Sequence, residues 1–319
     1  MKPNRINIMG VILGVVILAG LLIPLALMQS VVESDGAAML LDRQTETLPF
    51  HEATETEQFL AVASGYVFKT TYSVLAFLLV IVLWRSRAGD LTALRWAMFF
   101  FFVGENCCTV NYLVFGETSL LFEMLHSYGM LLCFAFTTYA IIEGVDNRIV
   151  HIRDPDERCG ALQLCGRCIK HAEVPCGLRR VFYLVILAMM VVCGMLLTAD
   201  IHTNAYNAEI YGMAFTYCNP MAYQLYEIVF CPIAALVMLA ISLAMLLGGK
   251  MKLAKMAFAG GSGALGFGAL RMILAGAYSQ RMVYFIFWEE TTELLFILGV
   301  CCVLWIFRRR LFDKSTPVN

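Results

Sequence analysis

The sequence predicts an all-α polytopic membrane helix bundle with about eight transmembrane helices, and three observations predict it. Of 319 residues, 60% are hydrophobic and 15% are charged, where soluble domains hold about 45–50% and about 25%. The apolar residues fall in long blocks of about 20, enough to cross a hydrocarbon core of about 30 Å. The cations fall almost wholly in alternate connections between those blocks, as the positive-inside rule requires. A soluble enzyme, a disulfide-stapled secreted domain and a disordered tail are excluded. The formal net charge of -1 gives no footprint for a nucleic-acid partner, and the partner implied first is the lipid bilayer.

The spans read 7–28, 62–84, 92–115, 119–143, 181–200, 223–247, 253–278 and 283–307. With both termini cytoplasmic, only Arg43 and Arg281 lie in outer loops, and only Lys69 and Arg271 lie deep within spans. This orientation fits a bacterial inner (plasma) membrane. The first span comes after Lys2 and Arg5 but exceeds a signal-peptide core of about 7–15 residues and lacks an A-x-A-like site, so it reads as a retained helix. Residues 1–143 form a first four-helix half, 144–180 an inner cysteine-rich loop, 181–307 a second half and 308–319 a basic tail. The two halves share a layout of connections, which suggests a 4+4 parallel internal repeat. Superposing their last hairpins sets Glu105 on Arg271 and Glu123 on Glu289.

Two outer segments stand out. Segment 29–61 carries Glu33, Asp35, Asp42, Glu46, Glu52, Glu55 and Glu57 against Arg43, and reads as a solvated acidic loop or a cation-collecting vestibule. Segment 201–222 is rich in Tyr and Asn, and Tyr206, Tyr211 and Tyr217, with Tyr223 just beyond it, read as interfacial aromatics.

Of the 12 cysteines, most lie within spans, where Cys is an ordinary small core residue. Cys159, Cys165, Cys168 and Cys176 instead cluster in the inner loop in a C-x5-C-x2-C-x7-C pattern spanning 18 residues. Four soft ligands this close suit one metal centre. The uneven spacing favours an iron-sulfur cluster over zinc, whose sites pair two C-x2-C-like knuckles. A reduced or palmitoylated basic loop is the metal-free alternative.

Ionisable groups inside spans are costly and therefore face a cavity or one another. Glu105, Glu123, His126, Glu227, Arg271, Glu289, Glu290 and Glu293, with Lys69, all fall about 5–16 Å below the outer boundary at about 1.5 Å per residue. Glu289 and Glu293 are spaced i, i+4 and Glu290 and Glu293 i, i+3, so at least two carboxylates share a helical face, and Arg271 sits across a short turn as an ion-pair partner for Glu289 or Glu290. Glu123-Met-Leu-His126 with Glu105 resembles half of a di-iron carboxylate site, but the matching half is missing. Only His126 lies at depth, so a bis-His haem is not expected. Gly260, Gly261, Gly263, Gly266, Gly268 and Gly276 in the seventh span imply close helix packing or a hinge. These residues support three functional readings. The first is a membrane redox component, with an iron-sulfur loop and a polar layer that binds quinol or conducts protons. The second is a cation or metal-ion transporter using Glu105, Glu123, His126 and Glu293, with a zinc-stabilised regulatory loop. The third is a membrane sensor signalling to a redox or regulatory partner through that loop.

Overall fold

The computed structural model describes residues 49–115, 119–145, 176–199, 206–217, 221–278 and 280–312. The helices are α1 (Glu55–Leu83), α2 (Gly89–Phe115), α3 (Leu120–Gly144), α4 (Cys176–Leu197), α5 (Met221–Leu247), α6 (Met251–Tyr278) and α7 (Met282–Phe312). Six segments, in all but α4, are long and apolar enough to cross a membrane. In α4 the apolar stretch is the shorter Phe182–Leu197, at the position of the predicted fifth span. The predicted span 7–28 lies outside the described residues, as do Cys159, Cys165 and Cys168; Cys176 opens α4.

Helix α1 starts earlier than the apolar run alone implies, because Thr54-Glu55-Thr56-Glu57 forms a capping box. Thr54 Oγ1 accepts from the Glu57 N–H at 3.2 Å, and Glu57 Oε2 accepts from the Thr54 N–H at 2.9 Å, satisfying two donors that a helix start leaves open. Glu57 is buried and also lies 3.2 Å from His51 Nε2, so this end of the acidic segment is a helix start, not a solvated loop. Further along α1 the ladder widens over Ala63–Phe68, and the Lys69 N–H donates to Ser64 O. Such a π-turn inserts a residue into the helix and re-aims the side chains beyond it, beginning here with Lys69.

The bundle is not purely helical. Strands β1 (Phe50–His51), β2 (Tyr206–Ile210) and β3 (Met213–Tyr217) form a small sheet in that order, with β1 parallel to β2 and β2 antiparallel to β3. The β2–β3 turn is Tyr211-Gly212, with φ of 50° and 81°. A two-residue hairpin turn of this kind needs positive φ at both central positions. Tyr206 is therefore no interfacial aromatic: it is buried with Ala208 against Ile228, Ala275, Met282 and Phe285. The sheet joins the two predicted outer segments at one end of the bundle.

Helix α3 is packed between α2 and α6, and α5 lies along α6. Small residues permit this closeness. A Cβ on Gly129 would lie 2.7 Å from Gly104 Cα, one on Gly263 2.4 Å from Ala135 N, and one on Gly268 3.0 Å from Pro232 Cδ. Four of the six α6 glycines thus meet neighbours (Gly260 and Gly261 meet Met238 and Leu239), whereas Gly266 and Gly276 face open space. The close pairs α2–α3 and α5–α6 are not equivalent hairpins in the predicted repeat. Gly263→Ala should destabilise the bundle by about 1–3 kcal/mol, because backbone cannot step aside as a side chain can. Gly266→Ala should be neutral or slightly stabilising. Detergent-unfolding midpoints of the two variants check this contrast.

Large apolar side chains remain exposed along α1 (Phe77, Leu78, Ile81, Val82), α4 (Leu184, Leu187, Val191) and α7 (Leu295, Val303, Trp305, Ile306). In a helical membrane protein these are the lipid-facing surface. At the end away from the sheet, Arg95 lies over the Trp84 and Trp96 rings, and Arg308 over Trp305.

Candidate functional site, a buried carboxylate layer

Five helices send ionisable side chains into the interior at one level: α1, α2, α3, α6 and α7, joined by Glu227 of α5. On one side, Glu105, Glu290 and Glu293 bring ligand oxygens within 4.8 Å of one another, all from buried residues. Lys69 Nζ lies 2.9 Å from Glu105 Oε2 and 3.0 Å from Glu290 Oε1. The Tyr72 hydroxyl, one turn after Lys69, donates towards Glu105 Oε2 at 2.6 Å and also lies beside Glu290 Oε2. Glu293 completes the group differently. It is 6% exposed, and its Oε2 has no hydrogen-bond partner among the described residues.

The other side is built around Arg271, which is 1% exposed. Its Nε lies 3.0 Å from Glu227 Oε2, and its Nη1 pairs with Glu289. Ser127 donates to the other Glu227 oxygen. Arg271 thus pairs with Glu289 as the spacing predicts, and with Glu227 on the preceding helix, while Glu290 turns to Lys69. Its guanidinium also lies over the Phe267 ring at 5.1 Å.

His126 joins the two sides. Its Nδ1 is 3.1 Å from Gly104 O and 3.5 Å from Glu105 Oε1, and its Nε2 is 3.5 Å from Arg271 Nη2. A guanidinium has only donors, so Nε2 is the accepting nitrogen and Nδ1 carries the proton that faces Gly104 and Glu105. The Gly104–Gly129 approach brings α2 and α3 close enough for that contact.

Glu123 accepts from Asn111 Nδ2 at 3.2 Å, and Asn111 Oδ1 accepts from the Ser119 N–H at 3.0 Å, which ties the end of α2 to the start of α3. Among the described contacts, those of His126 run to Gly104, Glu105 and Arg271. Tyr72, Ser127 and Asn111 are members that sequence reasoning missed, because hydroxyls and amides within apolar runs are common. Tyr72 alone carried a usable signal, its i+3 spacing from the intramembrane Lys69.

The charge balance decides what the layer can do. Arg271 pairs with Glu227 and Glu289, one guanidinium against two carboxylates, and among the described residues Lys69 is the cation that faces Glu105, Glu290 and Glu293. Three ionised carboxylates against one ammonium leave two negative charges in excess. Uncompensated buried charge costs several kcal/mol per ion even after relaxation, so the cluster must hold protons or a cation. The donor set is all oxygen, the kind that suits protons and hard cations rather than soft metals.

Comparison with known proteins gave no match to a family model, to a curated protein or to a solved structure.

Proposed function

We propose that the protein is an ion-handling membrane protein whose buried carboxylate layer takes up protons or a cation and passes them across the bundle. The observation that carries this reading is Glu293, a buried carboxylate that has one oxygen without a hydrogen-bond partner among the described residues and brings a ligand oxygen within 4.8 Å of those of Glu105 and Glu290. A layer serving only to hold the helices together would give each carboxylate a cationic partner, as Arg271 does for Glu227 and Glu289, since an unpaired buried charge destabilises the fold. His126 gives the cluster a polar connection to the Arg271 side, where Ser127 and Glu227 continue it towards α5. In this reading the chain has eight spans, with both termini and the cysteine loop on the inner side, and the sheet caps the outer entrance. Protein reconstituted into vesicles should dissipate an imposed ion gradient, read with a pH-sensitive dye and with cation-selective dyes. Glu293→Gln should reduce that movement to the level of protein-free vesicles.

A redox role rests on a separate observation, the four thiols of Cys159, Cys165, Cys168 and Cys176 within 18 residues. We propose that they hold an iron-sulfur cluster, with zinc as the alternative, and that quinol reacting at the carboxylate layer would supply its electrons. Anaerobically purified protein should contain iron with acid-labile sulfide, or zinc, and lose it when Cys165 and Cys168 are both replaced by Ser. Absence of both elements, with all four thiols alkylated in the folded protein, rejects the metal centre.

A further inference from the structure

The charge excess and the geometry of the triad name its ligand more closely. We infer that Glu105, Glu290 and Glu293, with the Tyr72 hydroxyl, form a binding site for one hard divalent cation, which is held together with Lys69. The inference rests on the ion-handling reading and gives it a substrate class.

Three features converge on a divalent ion. First, with all three carboxylates ionised, they and Lys69 carry a net charge of minus two, which a single divalent cation cancels without expelling the ammonium. A monovalent ion leaves the buried group charged. Second, the carboxylate oxygens lie within 4.8 Å of one another. Three oxygens spread evenly around one cation with bonds of about 2.1–2.4 Å are about 3.6–4.2 Å apart, so the three residues can share one ion once their side chains close in by up to about 1 Å. Third, the triad keeps buried oxygens that carry no hydrogen bond. Glu293 Oε2 has no partner among the described residues and Glu105 Oε1 has only His126 Nδ1 beside it at 3.5 Å, while Glu105 Oε2 and both Glu290 oxygens are held by Lys69 and Tyr72. The held oxygens fix the positions of the carboxylates, and the open ones are left for the ligand. All-oxygen donors select Mg²⁺, Mn²⁺ or Ca²⁺ over zinc or copper.

Lys69 then acts as a tethered competitor. It occupies one edge of the triad from a position set by the wide turn at Ala63–Phe68, and its positive charge weakens the hold on the divalent ion enough for release. Without Lys69 the site should bind more tightly.

The test uses full-length protein in lipid nanodiscs, with Mn²⁺ as the probe, monitored by the loss of the free-ion electron paramagnetic resonance signal. The expected result is saturable binding of one Mn²⁺ per chain, with competition by Mg²⁺ or Ca²⁺ and not by Na⁺ at equal ionic strength. Affinity should strengthen as pH rises, by about tenfold per pH unit for each proton displaced. Glu293→Gln should weaken binding by at least about tenfold, in line with the loss of a metal-site group. Lys69→Met should tighten it, and Glu209→Gln on the exposed strand surface should leave it unchanged. If Glu293→Gln does not fold, Glu293→Asp and Tyr72→Phe provide the same comparison. Absence of stoichiometric binding, binding equal in wild type and both site variants, or equal competition by Na⁺ overturns the inference. Ion movement that depends on Glu293 without Mn²⁺ binding rejects the divalent site and leaves the ion-handling reading standing. Mn²⁺ binding with ion movement insensitive to Glu293→Gln keeps the site and rejects that reading.

Discussion

Replacing Arg271 by Met should lower the stability of the folded bundle by about 3–5 kcal/mol, the cost of removing one partner from a buried ion pair. Arg271 touches Glu227 and Glu289 and is among the largest fully buried side chains, so its loss leaves two carboxylates without a counter-charge in the interior. The damage lies in what remains rather than in the contact removed. Arg271→Met combined with Glu227→Gln and Glu289→Gln should therefore recover most of the stability, since neutral isosteres in place of a buried ion pair are often tolerated. Unfolding titrations in mixed micelles measure both variants. A triple variant no more stable than Arg271→Met would show that Arg271 acts through packing on Phe267 rather than through charge.

Glu293→Gln should have the opposite signature, losing function without losing stability. Its Oε2 has no hydrogen bond to forfeit, and a neutral amide in a cluster with excess negative charge relieves repulsion from Glu105 and Glu290. Stability should be unchanged or rise by about 1 kcal/mol or more, while ion movement falls to the vesicle background. The same pair of measurements, unfolding midpoint and vesicle flux, thus separates the two sides of the layer. Arg271 should govern the first and Glu293 the second. A large loss of stability in Glu293→Gln would place Glu293 with the structural members and remove the support for ion handling.

The spans were legible because apolar runs of membrane length have few other uses, and six of them correspond to membrane-length helices. The members of the polar layer were legible for the same reason, since an ionisable residue stands out inside such a run. Its pairing was not. Glu290 of α7 meets Lys69 of α1, and sequence spacing carries no information about which non-consecutive helices become neighbours; Arg271 also meets Glu227 on the helix before it, where the short turn after α6 drew attention to α7 instead. The extension of α1 was written in Thr54-Glu55-Thr56-Glu57, a capping box hidden inside a segment whose acidity drew attention first. The hairpin lacked its usual flag, because Tyr211-Gly212 replaces the Asn-Gly or Asp-Gly that announces such turns.

The parallel pairing of β1 with β2 has a consequence for the order of assembly. Phe50 pairs with Asn207 and His51 with Ala208, and parallel strands cannot be closed by a tight turn, so a long crossover must lie between them. During synthesis, α1, α2, α3 and α4 all leave the ribosome before the partner strand exists. The sheet at this end of the bundle can form only after β2 has been made. Until then β1 is a strand without a partner, an edge of the kind that invites pairing with other chains, and a chain stalled after α4 would keep that edge open.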